Sequence, residues 1–83
     1  MMSYKIFSTK EFEKDFRKLS FGFQSRIKKK FLGIAENPER YKHLRPPLDK
    51  YSRIRIGKLR ILFSYNIEKK ILYLEQIIFG HRY

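Results

Sequence analysis

The sequence predicts an α+β domain, one unit over residues 1–83, in the order strand, helical hairpin, three-stranded antiparallel meander (β-α-α-β-β-β). Three observations lead there. In the first half, apolar residues recur at helical spacing, as Phe12, Phe16 and Leu19 and then Phe23, Ile27, Phe31 and Ile34. In the second half they alternate with polar ones, as in Arg53-Ile54-Arg55-Ile56, which is the period of a half-buried strand. The breaks between these segments hold capping, turn and proline residues.

Residues 3–7 are a short aromatic and β-branched run that reads as a strand. It stops at Ser8-Thr9-Lys10-Glu11, a capping-box pattern able to satisfy the first free amides of a helix of about ten residues. Ser20-Phe21-Gly22 breaks that helix, and a second one follows with Arg26, Lys28, Lys29 and Lys30 on its outer face until Asn37-Pro38 ends it. The phenylalanines fall on a single stripe per helix, the mark of core residues rather than of a base-stacking surface. Residues 39–50 hold Pro46-Pro47 and read as a loop pinned by Leu44 and Leu48. Two strands, 51–56 and 59–65, flank a tight turn at Gly57-Lys58, and a last strand covers 71–79. Alternation holds Arg53 and Arg55 side by side on one face, opposite to Ile54 and Ile56.

Composition narrows the chemistry. A chain of 83 residues buries only ~60% of its unfolded surface and has no room for a second lobe or a deep cofactor cleft, so any chemistry belongs on its surface. With no cysteine and only His43 and His81, neither a disulfide framework nor a metal site is expected, and no cofactor is implied. No stretch has the ~20 apolar residues of a membrane span, and no signal peptide follows Met1, so the expected location is the cytoplasm. The net charge of +12 is uneven: between positions 40 and 60, eight basic residues stand against Asp49 alone. Such a field attracts polyanions and makes their binding strongly salt-dependent. Glu75 and Asp49 form no evident carboxylate pair; alternation makes Glu75 an exposed strand residue, and His43 reads as a surface residue.

The stretch Tyr51-Ser52-Arg53-Ile54-Arg55-Ile56-Gly57-Lys58-Leu59-Arg60-Ile61-Leu62-Phe63, with the terminal Gly80-His81-Arg82-Tyr83, resembles the RelE/ParE superfamily of toxin–antitoxin toxins over nearly the whole chain. The branch it is most similar to is the RelE-type messenger-RNA interferases. The resemblance implies a RelE-like fold and a ribosome-dependent, metal-independent endoribonuclease cutting messenger RNA in the decoding site. It implies an acidic antitoxin with an amphipathic helix as partner, besides ribosome and messenger RNA, with no membrane involved. By the same resemblance Arg53 and Arg55 lie along substrate phosphates, while Arg60 and Arg82 stabilise charge at the scissile phosphate. His81 and Tyr83 are candidates for proton transfer or stacking; many members place their tyrosine a few residues further on, whereas a related branch ends in histidine and tyrosine. Lys58, Lys50 and Arg45 complete the expected phosphate track.

The residue types suit that chemistry on their own terms. Cutting RNA without a metal requires the ribose 2′-hydroxyl to lose a proton, attack the adjacent phosphorus and expel the 5′-oxygen. Guanidinium groups match phosphate oxygens as a fixed fork and stay charged, stabilising the charge that develops. His81 has an ordinary pKa near neutrality, and crowding by arginines favours its neutral, proton-accepting form. Two other readings use the same basic field: a ParE-like inhibitor of DNA gyrase, which needs no nuclease residues, and a non-catalytic RNA-binding protein.

Overall fold

The computed structural model describes residues 3–41, 46 and 50–79. Its elements are β1 (Lys5–Ser8), α1 (Lys10–Arg17), α2 (Phe21–Ile34), a short 3-10 turn (Pro38–Arg40), β2 (Ser52–Ile56), β3 (Leu59–Asn66) and β4 (Ile71–Phe79). The expected order holds. The expected capping box does not: Thr9, rather than Ser8, caps α1, accepting from the Phe12 amide at 3.0 Å while its hydroxyl donates to the Glu75 carbonyl at 2.8 Å. One side chain thus satisfies a free helix amide and fastens the helix start to β4. Ser8 turns instead to Glu13, donating to its carboxylate at 2.8 Å.

The interruption between the helices is shorter than the sequence suggested. Ser20 caps α2, whose first turn already includes Phe21 and Gly22, because a glycine one turn from a capped start costs little. The Gln24 side-chain amide donates to the carbonyls of Leu19 (3.2 Å) and of Phe16 (3.0 Å), the latter already accepting from the Leu19 amide, and so ties α2 to the end of α1. After α2, the Ala35 carbonyl accepts from the Tyr4 amide at 2.8 Å, tying the residue before β1 to the helical hairpin. The segment read as a loop from position 39 begins with the 3-10 turn; Leu44 and Leu48, its expected pins, lie outside the described residues.

The four strands form one sheet in the order β1-β4-β3-β2, with β2-β3-β4 the antiparallel meander and β1 parallel to β4. The helical hairpin is the crossover that a parallel pair requires. Both helices cover one face. Phe12, Ile27, Phe31 and Ile34 pack there against Ile54, Ile56, Leu59, Ile61, Phe63, Leu72, Leu74 and Ile77. Phe31 meets Phe63 edge to face at 5.6 Å, and Tyr41 meets the same ring at 6.0 Å, the T-shaped geometry that aromatic quadrupoles favour.

A register shift in β3–β4 keeps this face continuous. Leu62 pairs with Gln76, but Phe63 pairs with Leu74, leaving Glu75 as the extra residue. Without it, Leu74 and Ile77, three residues apart, would point to opposite faces; the shift turns both into the core. Glu75 is therefore not the plain exposed strand residue that alternation predicted. It is half-buried and accepts from the Ser64 hydroxyl at 2.6 Å.

Candidate nucleic-acid interface

The face of the sheet turned away from the helices carries the arginines. Along β2 burial alternates, with Ser52, Ile54 and Ile56 buried and Arg53 and Arg55 exposed. The connection to β3 is the two residues Gly57-Lys58. Gly57 has φ +59°, as the first central position of a tight hairpin turn of type II′ demands, and its Cα faces the Phe23 ring so closely that a Cβ would stand 3.1 Å from it. That turn fixes the register: Arg55 lies directly opposite Arg60, and Arg53 opposite Leu62.

Like charges directly opposite one another on a sheet are unfavourable. Arg60 is half-buried, and its partial desolvation, then the charges of Arg55 and Arg53, lower its pKa below the usual guanidinium range. The arginine remains protonated, so the result is three concentrated positive charges with a fixed spacing, one of them partly stripped of water. Three such charges at fixed spacing match the successive phosphates of a polyanion.

Of the other residues singled out from the sequence, Lys58 is exposed in the turn beside Arg55 and Arg60. Lys50 stands at the opposite end of β2, its ammonium 5.3 Å from the Tyr51 ring, next to Asn66 and Ile67. The two lysines therefore bracket the strand rather than cluster. Arg45, His81, Arg82 and Tyr83 lie outside the described residues. One contributor was overlooked: Arg26 of α2 lies over the Phe23 ring at 5.2 Å, with a guanidinium nitrogen 3.9 Å from where a Gly57 Cβ would be. It joins the turn to a second basic hollow of about 440 Å³ formed with Lys29, Lys30 and Arg40. The i, i+3 spacing of Phe23 and Arg26 was the signal that they share a helix side.

A separate, apolar groove of about 530 Å³ opens on the helical side, between the hairpin and the β1 edge, lined by Ile6, Phe12, Phe16, Ile27, Phe31 and Leu32 with Glu13, Arg17 and Lys28 at its rim. Among the described residues no group of three histidine, cysteine or acidic side chains could hold a metal ion, and no helix is long and apolar enough to cross a membrane.

A sequence model for the ParE toxin of the parDE type II toxin–antitoxin system matches residues 6–80. The chain belongs to this toxin family. No curated protein sequence matches it significantly. In fold the toxin is similar to a chain of the RelBE2 toxin–antitoxin complex of Mycobacterium tuberculosis, at TM-score 0.84 and 24% identity over 99% of this chain and 94% of that one. The isolated RelE toxin of E. coli superposes at TM-score 0.82 and 21% identity, covering 98% of this chain and 88% of that one. A chain of the archaeal RelE–RelB complex of Pyrococcus horikoshii gives TM-score 0.79 and 20% identity over 99% and 100% of the two chains. The RelE-like fold expected from the sequence is thus the fold of this toxin, and several of its structural neighbours are toxins held by antitoxins.

Proposed function

We propose that this toxin binds messenger RNA on the ribosome and cuts it by metal-independent attack of the 2′-hydroxyl. The observation that carries the reading is the opposition of Arg55 and Arg60, with Arg53 beside them, on a sheet face free of the helices. Three guanidinium groups at fixed spacing on one strand pair offer several phosphate contacts at once to a polyanion. Arg53 and Arg55 would follow successive phosphates, and Arg60 would stabilise the charge developing at the scissile one. Arg82, His81 and Tyr83 are proposed to complete the site, His81 in proton transfer and Tyr83 in stacking or proton transfer. Arg45, Lys50 and Lys58 extend the phosphate track. Few groups on so small a domain orient the substrate, so the ribosome supplies the in-line geometry and free RNA is a poor substrate.

The partner in this reading is an acidic antitoxin that lays the apolar side of an amphipathic helix into the groove between α1, α2 and β1, its carboxylates meeting Arg17 and Lys28 at the rim. A second reading rests on the family model itself, which is that of ParE: the same basic face would then inhibit DNA gyrase. Primer extension on translated messages after brief induction separates the two. Cuts that depend on the ribosome and fall by orders of magnitude in Arg60→Ala support the nuclease. Uncut messages together with accumulating gyrase-linked DNA breaks would replace it with the second reading.

A further inference from the structure

The arginine-bearing face extends past β3 to an aromatic pair that has no place in the core. Phe7 of β1 and Tyr73 of β4 are register partners, their rings 6.2 Å apart and inclined by 31°. Their neighbours Ile6 and Leu74 line the groove on the helical side, and Leu72 is fully buried in the core, so alternation directs Phe7 and Tyr73 to the other face, where they are 50% and 37% exposed. Tyr73 is paired with Ser64, two residues along β3 from Leu62, which is paired with Arg53. Two strand spacings and two residues of rise put Tyr73 roughly 12 Å from Arg53 on the same surface, with Phe7 one strand further at roughly 16 Å.

We propose that Phe7 and Tyr73 form a stacking platform for a base of single-stranded RNA whose phosphates run along Arg53, Arg55 and Arg60. The proposal rests on the RNA reading above and adds to it the surface that receives a base upstream or downstream of the cleaved step. Single-stranded recognition combines a basic track with exposed aromatic faces, and here the two share the sheet face turned away from the helices at a separation that a few extended nucleotides span. The intervening pair, Ser64 donating to Glu75, puts a carboxylate between platform and arginines. That charge repels a phosphate and leaves room for a base edge, so it orients the strand with its backbone toward β2 and its base toward β4. Lys5, exposed and on the Phe7 side of β1, can take the next phosphate beyond the platform.

The test uses the full chain and two fluorescent probes, a decamer of uridylate and the same ribose-phosphate chain without bases, with binding read by anisotropy over a range of salt. The double variant Phe7→Leu/Tyr73→Leu keeps apolar volume and loses the π faces. It is expected to weaken the base-bearing probe by about five- to hundredfold, leave the abasic probe unchanged and keep the salt slope; Tyr73→Phe alone stays near wild type. Arg53→Ala/Arg55→Ala weakens both probes and flattens the slope. Wild-type affinity of the double variant for the base-bearing probe overturns the platform while leaving the RNA reading intact, as does equal wild-type affinity for the two probes. A double variant that loses its antitoxin but not the RNA probe overturns it in favour of a protein contact. Wild-type protein that binds neither probe overturns both readings.

Discussion

Gly57→Ala probes the device on which the arginine face depends. The residue has φ +59°, and an L side chain in that left-handed region costs about 1–2 kcal/mol. The new Cβ would also stand 3.1 and 3.3 Å from two atoms of the Phe23 ring, which must give by a few tenths of an ångström. Against this, alanine narrows the unfolded ensemble and returns about 0.4–1 kcal/mol. The balance is a destabilisation of about 1 kcal/mol, or a urea midpoint lower by about 1 M at the slope usual for so small a domain.

Chemical denaturation followed by circular dichroism measures this directly, and two further variants separate its parts. Gly57→Asn keeps the Cβ contact but tolerates the positive φ, so it should cost less than alanine. Phe23→Leu in the Gly57→Ala background relieves the contact and leaves the backbone cost, so the two changes should be less than additive. A Gly57→Ala midpoint within about 0.2 M of wild type would refute the reasoning. Alanine and asparagine of equal cost would refute the backbone part of it and leave only the contact.

Ser52 is fully buried and its hydroxyl has no hydrogen-bond partner among the described residues, so Ser52→Ala should be neutral or stabilise by up to about 1 kcal/mol in the same assay. Thr9→Ala removes both the α1 cap and the bond to the Glu75 carbonyl, and should destabilise by about 1–2 kcal/mol, whereas Ser8→Ala on the exposed Glu13 contact should cost less than half as much. Burial, the hydrogen bond donated to Glu39 and that carboxylate's charge raise the Tyr4 pKa above its ordinary 10.0, and burial does the same for Tyr65. A raised folded pKa gives stability that is whole below pH 10 and lost as pH climbs through the folded value, so unfolding titrations should show a fall in strong alkali that Tyr4→Phe makes shallower.

Local pattern was enough for most of this fold. The helical stripes of Phe12 and of Ile27, Phe31 and Ile34 are buried as their spacing required, and the last strand has the bounds its alternation indicated. What the pattern lacked was anything nonlocal. The run 3–7 has no feature that chooses β4 as its neighbour or parallel as its direction; that choice comes from the helical hairpin packing back on the sheet. Strict alternation also failed at Glu75, because one extra residue is invisible to a period-two reading until the partner strand is known. In the site, Arg53, Arg55 and Arg60 were legible because a two-residue turn dictates its own register. Arg26 was legible only as a neighbour of Phe23 on α2; its place beside Gly57, like the Phe7–Tyr73 pair, joins elements far apart in sequence.

The two faces of the sheet divide the work, and salt should separate them. The helical face holds the domain together through uncharged contacts such as Phe31 on Phe63, which ions barely affect. The other face opposes Arg55 to Arg60 with Arg53 beside them, and a chain of net charge +12 adds long-range repulsion to that local one. Screening should therefore stabilise the free toxin as salt rises from low concentration, while counterion release weakens its hold on RNA over the same range. Arg55→Thr, which puts a good strand former opposite Arg60, should raise the midpoint at low salt, reduce its salt dependence and flatten the RNA slope together. If Arg55→Thr instead lowers stability at low salt, the guanidinium is part of the scaffold rather than a cost the hairpin bears for binding, and the opposed pair would no longer argue for an anion.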